Sequence, residues 1–454
     1  MDAVFLSRLQ FGLTAFFHYI FPPLSIGLAT FIAFLEYGYW RKNEPLYDQA
    51  SRFWFKIFAI LFAVGVATGI AMEFQFGTNW SEYSKFVGDI FGAPLAAEGV
   101  FAFFLESTFV GLLIFGRDKI SRNMRFLSSI LVALGSTLSA FWIIVANSWQ
   151  QTPTAFKIEG GRAILTDFYA AVFNPSTLPR FLHTVDGAYI TGAFFIMGVS
   201  AYFLLHNKNT AMARTSLKYS LLFGLIAVLV QFGLGHYHSV QVANTQPAKL
   251  AAFEGLWETT SRAPLNLIGI PDADRETTHL SLGVPGMLSF MVHGDANAPV
   301  TGLKEFAPGE RPPLTVTYWS YRLMIIAAGW FTLLVLWGAF LLAKGRLYTN
   351  RRFLSAAFLS MLLPVLVNEL GWLAAEFGRQ PWIVYGLLKT NAAASPLPAG
   401  QILFTNIMFV AVYSGILTAV YYLIKRVVKS AMGEDAQLPD VPAELSLDAA
   451  SFKQ

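Results

Sequence analysis

Nine long, mostly apolar stretches set the terms for this chain, at about 12–36, 54–76, 94–116, 126–147, 182–205, 217–237, 319–343, 353–374 and 402–424. Crossing a bilayer's hydrocarbon core, about 30 Å thick, takes roughly 20 apolar residues in a helix. Lipid offers the backbone no hydrogen-bond partners, so these stretches must be helical. The pattern predicts an all-α polytopic membrane bundle with about nine transmembrane helices. Composition agrees: 13% of residues are charged and 55% hydrophobic, whereas a soluble domain carries about 25% charged residues. The net charge of +4 is not gathered into a basic block interleaved with aromatics, so lipid is the expected surroundings and nucleic acid is not an expected partner. There is no cysteine, which removes disulfides, thiolate zinc sites, iron–sulfur clusters and cysteine nucleophiles together. A metal here must use His, Met, carboxylate or a cofactor.

Basic residues gather in five places: Arg41, Lys42 and Arg52; Arg117, Lys119, Arg122 and Arg125; Lys208, Arg214 and Lys218; Lys344, Arg346, Arg351 and Arg352; Lys425, Arg426 and Lys429. All fall at odd-numbered connections or the tail. The positive-inside rule then predicts a cytoplasmic C-terminus and an outer N-terminus. The first apolar run continues past any plausible cleavage site, so no removable signal peptide is expected. Residues 1–429 read as one bundle and 430–454 as a polar cytoplasmic tail. Two outer connections are long, 148–181 and 238–318, and loops of that length are usually functional or disordered.

Ionisable side chains inside a membrane cost several kcal/mol unless they are paired or serve a site. Glu36, Glu73, Glu98, Glu106, Glu369, Glu376, His18, His183, His236 and His238 lie within or at the ends of the apolar runs. Snorkelling to the interface explains any one of them taken singly. Depth argues for more: His18, Glu98, His183, Met324 and Glu376 all fall toward the outer ends of their spans. Imidazole, thioether and carboxylate all ligate iron, and a His/Met axial pair raises a haem's potential. For Met324, core packing is the plain alternative.

The order of motifs carries a resemblance. Phe17-His18, Gly92-Ala93-Pro94-Leu95-Ala96-Ala97-Glu98, Glu106-Ser107-Thr108, Phe181-Leu182-His183, Gln246-Pro247-Ala248-Lys249-Leu250-Ala251-Ala252-Phe253-Glu254, Tyr321-Arg322-Leu323-Met324 and Gly371-Trp372 with Glu376-Phe377-Gly378-Arg379-Gln380-Pro381-Trp382 resemble, in sequence order, subunit I of bacterial cytochrome bd-type quinol oxidases. The resemblance covers essentially all nine spans. It implies a multi-pass protein of the bacterial inner membrane that oxidises ubiquinol or menaquinol and reduces dioxygen to water. It also implies two b-type haems plus haem d, a second large helical subunit and a small single-span subunit. By the same resemblance, His183 and Met324 are the axial pair of a low-spin haem b, with Arg322 a propionate partner and Arg379 a partner of haem or Glu376. His18 and Glu376 are ligands of the two remaining haems, left unassigned between them, with Glu98 nearby. Lys249 and Glu254 resemble quinol-site residues of the family's Q-loop. That loop is short here and resembles the cyanide-insensitive branch, in which a third b-type haem takes the place of haem d.

Oxygen reduction consumes protons, and a cytoplasmic source requires a path across the bilayer, which would let the enzyme build a gradient without pumping. Glu98 and Glu106 are expected to mark its outer end, about 12 Å apart along one continuous helix and roughly 80° around it. Ser107, Thr108 and Ser139 are candidate relays, with helix–helix hydrogen bonding as their alternative role. Arg379 has a competing role as a helix cap. His236 and His238 read as helix-end residues and His206, His279 and His293 as loop residues, none with a ligand partner. Two other functions compete: a haem-bearing electron-transfer anchor without oxygen chemistry, and a proton-coupled transporter, which would show inverted repeats and helices broken near the midplane. Neither sign is visible in the sequence.

Overall fold

The protein is described here by a computed structural model covering residues 2–433. Among them are nine helical units long and apolar enough to cross a membrane. The first is α1 (Ala3–Tyr19) continued by α2 (Phe21–Lys42), and the second is α3 (Pro45–Thr78). The third joins α4 (Ser81–Ala97), a π-helical segment (Glu98–Phe103) and α5 (Phe104–Phe115). The fourth is α6 (Arg122–Gln151). A hairpin of β1 (Phe156–Glu159) and β2 (Arg162–Leu165) and a short α7 (Phe168–Val172) lead to α8 (Thr177–Leu205) and α9 (Thr210–Thr245). The next connection holds α10 (Pro247–Glu254), β3 (Thr260–Ser261), a hairpin of β4 (Leu265–Asp272) and β5 (Thr277–Val284), α11 (Met287–His293) and β6 (Pro299–Val300). Then come α12 (Leu314–Ala343), α13 (Arg351–Leu359) with α14 (Leu363–Phe377), the strands β7 (Trp382–Val384) and β8 (Leu388–Lys389), and α15 (Ala399–Ala431).

Each expected span is present and most run well past the apolar stretch that announced it. Apolarity marks only the hydrocarbon layer, whereas a helix of 30–36 residues at 1.5 Å per residue also traverses the headgroups. The third span differs most: it begins at Ser81, because the polar stretch 81–93 is helical too. Glu98 therefore lies in the middle of that span rather than at its opening. The long connections shrink to 152–176 and 246–313, and the last helix reaches Ala431, past the expected boundary at 429. The remainder of the expected tail, 434–454, lies outside the described residues.

Three spans are interrupted, contrary to the unbroken helices expected from sequence. The first breaks at Ile20 ahead of Pro22 and Pro23, and the eighth at 360–362 ahead of Pro364. Proline lacks an N–H and clashes with the preceding turn, so it sits at helix starts. In the third span Pro94 lies inside the helix, and the backbone widens into the π segment just after it, a common cause and a common form of helix distortion.

The chain alternates across the bundle, so the starts of α1, α4, α8, α12 and α15 share one face with the ends of α3, α6, α9 and α14. Both long connections lie on this loop-rich face, and the five basic clusters lie on the other. Helix α8 is the central staff. Its Gly192 meets Gly27 of α2 so closely that a Cβ at Gly27 would stand 2.6 Å from Gly192 Cα, the close backbone approach that small residues permit in membranes. Around this crossing Trp54, Phe58, Phe194, Phe203 and Phe353 are fully buried.

On the basic face, Glu36 is buried and accepts from Ser51, Arg117 and Arg125, while Arg125 also bonds Asp48. This cluster ties α2, α3, the 116–121 turn and α6 together. Removing one member of a buried pair strands its partner's charge. Glu36→Ala is therefore expected to destabilise the bundle by about 3–5 kcal/mol, read as a lowered unfolding temperature in detergent with the basic face opening first in hydrogen exchange. A variant as stable as the parent would show the cluster to be dispensable.

Candidate functional site

The candidate iron ligands gather toward the loop-rich face, and three of them stand against a glycine of a neighbouring helix. A Cβ at Gly69 would lie 3.2 Å from His18 Cε1, one at Gly235 would lie 3.7 Å from His183 Cε1, and one at Gly371 would lie 3.5 Å from Met324 Sδ. A Cβ at Gly69 would crowd the His18 ring, whereas at Gly235 and Gly371 it would make ordinary contact with the candidate donor. His18, His183, Met324 and Glu376 are each only partly buried.

His183 and Met324 converge through α14. One turn after His183, Gly187 abuts Asn368, whose amide donates to Thr191 at 2.8 Å. Three residues further along α14, Gly371 abuts Met324. Among the described residues, the buried Nδ1 of His183 has no hydrogen-bond partner, nor has the buried Nε2 of His238, whose ring lies 5.3 Å from that of His183. This corrects the reading of His238 as a helix-end residue: α9 runs on to Thr245, so both His236 and His238 lie inside it, and His238 faces His183. The sequence signal for this was spacing, since Gly235 and His238 share one helical face.

Glu376 is a hub. It accepts from Asn147 at 3.0 Å and Gln151 at 3.1 Å, both on α6, and pairs with Arg379; Arg180 stands 3.9 Å away. Arg379 also donates to Gln150 Oε1 at 2.8 Å and to the Ile383 carbonyl. It thus ties α14 to α6 and to the following turn by its side chain. Arg180 lies over Trp372, and Trp372 meets Tyr19 edge-on at 5.2 Å. Trp372 thus sits between the helix that carries His18 and the helix that carries His183.

Both quinol-site candidates lie on α10, buried against the bundle. Lys249 donates to Gln151 Oε1 at 2.6 Å, and Glu254 pairs with Arg322. Arg322, read from sequence as a propionate partner, has its guanidinium engaged by this carboxylate. Burial, reinforced by the Arg180 charge and opposed by Glu376, holds the Lys249 ammonium well below its ordinary pKa. Burial also pushes the Glu254 carboxyl up, against the pull of Arg322. Both groups are thereby moved toward their neutral forms.

The carboxylates of the third span reach α6. Glu98 accepts from Ser139 at 2.7 Å, and Glu106 accepts from Ser136. The π segment between them shifts the helical phase from the angle calculated for a continuous α-helix, and the two acids meet serines three residues apart. Ser136 was missed from sequence. Ser107, by contrast, gives its hydroxyl to the Phe103 carbonyl of its own helix at 2.7 Å, and Thr108 is exposed; neither is drawn to Glu106. Arg125, Ser136, Ser139, Asn147, Gln150 and Gln151 mark one face of α6 at steps close to the helical period. That polar stripe, readable in the sequence as a break in an apolar run, went unnoticed beyond Ser139. Glu369 has both carboxylate oxygens buried without a hydrogen-bond partner among the described residues.

Comparison with known proteins decides the family. A model of cytochrome bd terminal oxidase subunit I matches residues 6–432. The chain belongs to that family. This oxidase subunit is 40% identical to the cytochrome bd ubiquinol oxidase subunit 1 of Bacillus subtilis (strain 168), with 97% of each chain covered. It is 37% identical to the cytochrome bd-II ubiquinol oxidase subunit 1 of Escherichia coli (strain K12), over 98% of this chain and 99% of that one. Among solved structures it resembles the bd oxidase from Geobacillus thermodenitrificans with a TM-score of 0.89 at 29% identity, covering 94% of this chain and 99% of that one. The nine-span bundle is thus the family's, and the oxidase subunit is a multi-pass protein of the bacterial inner membrane.

Proposed function

We infer that this chain is the subunit of a terminal respiratory oxidase that oxidises quinol near its loop-rich, outer face and reduces dioxygen to water. The observation that carries the reading is connection. Lys249 reaches Glu376 through the single side chain of Gln151, and Glu254 pairs with Arg322, two residues from Met324. Lys249 is thus one side chain removed from the candidate iron ligand Glu376, and Glu254 bonds an arginine on the helix that carries Met324.

The donor set fits haem. His18, His183 and Met324 each have a glycine of a neighbouring helix beside the donor group, and the buried Nδ1 of His183, which meets no hydrogen-bond acceptor among the described residues, is a ring nitrogen free to ligate. His183 and Met324 would hold a low-spin b haem, while His18 and Glu376 would hold the other two irons, those of a second b haem and of haem d or a third b haem. Bound haem supplies the one-electron chemistry and the iron at which oxygen is reduced. The chain's own residues bind quinol and move protons. In its neutral form Lys249 accepts a hydrogen bond from a quinol hydroxyl, and in its ionised form Glu254 takes up a quinol proton and releases it toward the outer face. Glu106, hydrogen-bonded to Ser136, and Glu98, bonded to Ser139, carry cytoplasmic protons toward the oxygen site. Taking four protons from one side per oxygen, and releasing quinol protons on the other, charges the membrane without a pump.

The connection 246–313 is a short form of the Q-loop. Alignment with the Escherichia coli relative runs to 511 positions, longer than this chain, so that relative carries segments without a counterpart here. We assign the chain to the branch with reduced cyanide sensitivity, in a complex with a second large helical subunit and a small single-span one.

Lys249→Met tests the quinol site. Loss of one hydrogen bond is worth about 1.4 kcal/mol, so the quinol KM should rise about 10-fold at neutral pH. In the parent, Lys249 is neutral above its depressed pKa and gains a proton below it, which destroys its acceptor lone pair; KM should climb as pH falls through that value. The variant should lack this acid limb. An unchanged KM across the pH range would remove Lys249 from the site.

A further inference from the structure

We propose that Thr68 is the positioning residue that sets the tautomer and orientation of His18, so that Nε2 carries the lone pair offered to iron. This rests on His18 being an iron ligand. His18 Nδ1 lies 3.0 Å from Thr68 Oγ1, across the α1–α3 seam. The same Oγ1 lies 2.9 Å from the Val64 carbonyl and 3.1 Å from the Gly65 carbonyl of its own helix. A hydroxyl has one proton, and carbonyl oxygens only accept. With that proton directed back to the helix carbonyls, the oxygen presents a lone pair to His18, and Nδ1 must bear the hydrogen. A neutral imidazole has a single N–H, so Nε2 is left as the basic nitrogen. The chain imidazole N–H to threonine oxygen, threonine O–H to carbonyl, is complete without water.

The surroundings hold this geometry in place. Gly69, adjacent to Thr68, brings backbone against the edge of the His18 ring, and a Cβ there would sit 3.2 Å from Cε1. Two further bonds close the same seam at intervals of four residues along α1: Gln75 Nε2 donates to Thr14 Oγ1 at 2.5 Å, and Asn79 Nδ2 donates to Gln10 Oε1 at 3.0 Å. Helix α15 braces them, since Thr405 donates to Gln10 at 3.0 Å and Tyr413 to Thr14 at 3.3 Å. His18 is therefore the third rung of a hydrogen-bonded ladder, and Thr68 is the side chain on that ladder that meets its ring nitrogen, with the Gly65 backbone also in reach of the ring. Outer partners of this kind fix ring orientation and raise the basicity of a ligating histidine. The competing role for Thr68 is simple back-bonding within α3, which needs nothing from His18.

Thr68→Val keeps the side chain's shape and deletes the hydroxyl, and Thr68→Ser keeps the hydroxyl and deletes the methyl. The readouts on the purified complex are haem content, the iron–histidine stretching frequency of the reduced high-spin haem, and its midpoint potential. Thr68→Val should retain the protein fold with the iron–histidine stretch shifted down and the potential shifted up, because the imidazole donates less strongly. Haem affinity should fall about 10-fold. Thr68→Ser should restore all three. A Thr68→Val complex with parental stretch, potential and haem content would overturn the proposal. If Thr68→Val loses the haem outright, Thr68→Ser decides: parental values support the proposal, and loss of haem there too overturns it in favour of a packing role. His18→Ala separates this from the underlying assignment, since retention of every haem in that variant would mean that His18 is not a ligand at all.

Discussion

Met324→Leu should leave the bundle folded and abolish the low-spin signature of one haem, together with nearly all quinol-driven oxygen consumption. Leucine keeps the side chain's volume and removes the sulfur, and such swaps usually cost less than about 1.5 kcal/mol in packing. The thioether lies beside Gly371, and with volume kept the expected loss is of ligation and not of core filling. The measurement is the reduced-minus-oxidised spectrum of the purified variant, with the low-spin b band replaced by a five-coordinate or altered one. An unchanged low-spin spectrum would take Met324 out of the site and return it to the role of a gap-filling methionine. His183→Ala should lose the same haem by the other axial position, which makes the two variants a matched pair.

Glu106→Gln is expected to slow turnover on the order of 10²-fold or more while haem insertion survives. The amide keeps the carboxylate's shape and can still bond Ser136, so the third span and α6 remain joined, but it cannot take up or release a proton. If Glu106 only staples two helices, the amide should serve equally well and turnover should stay near the parent. Haem spectra and oxygen consumption on the same preparation distinguish the two: full spectra with slow turnover support a relay, and full spectra with full turnover refute it. Ser136→Ala should produce a milder version of the same defect, because it leaves the acid in place and removes its partner.

The membrane fold was legible because bilayer physics leaves a twenty-residue apolar run few alternatives, and all nine runs became helices. Their ends were not legible, since helices such as α4 continue through polar headgroup layers where apolarity carries no signal. Breaks at Ile20 and 360–362 were signalled by Pro22, Pro23 and Pro364 but went unread. Within the site, the residues expected from sequence were those that stand in recognisable motifs, whereas the partners that meet them by position alone were not anticipated. Ser136, Asn147 and Gln151 belong to no motif; they matter because α6 turns them toward Glu106 and Glu376. His238 faces His183 only because α9 continues beyond its apolar stretch. Arg322 was read as facing a haem, and its pairing with Glu254 depends on the path of a connection that no local pattern specifies.

The central claim is that this bundle holds both a low-spin haem and an oxygen-reducing iron beside a quinol site. Its most direct test is a pair of spectra on the purified complex, reduced-minus-oxidised and then carbon monoxide-bound, with the extracted haems identified and quinol-driven oxygen uptake measured on the same sample. The account predicts a low-spin b signal, a distinct high-spin haem that binds carbon monoxide, and oxygen uptake that depends on quinol. A preparation with low-spin haem alone and no carbon monoxide shift would contradict it and leave an electron-transfer anchor without oxygen chemistry.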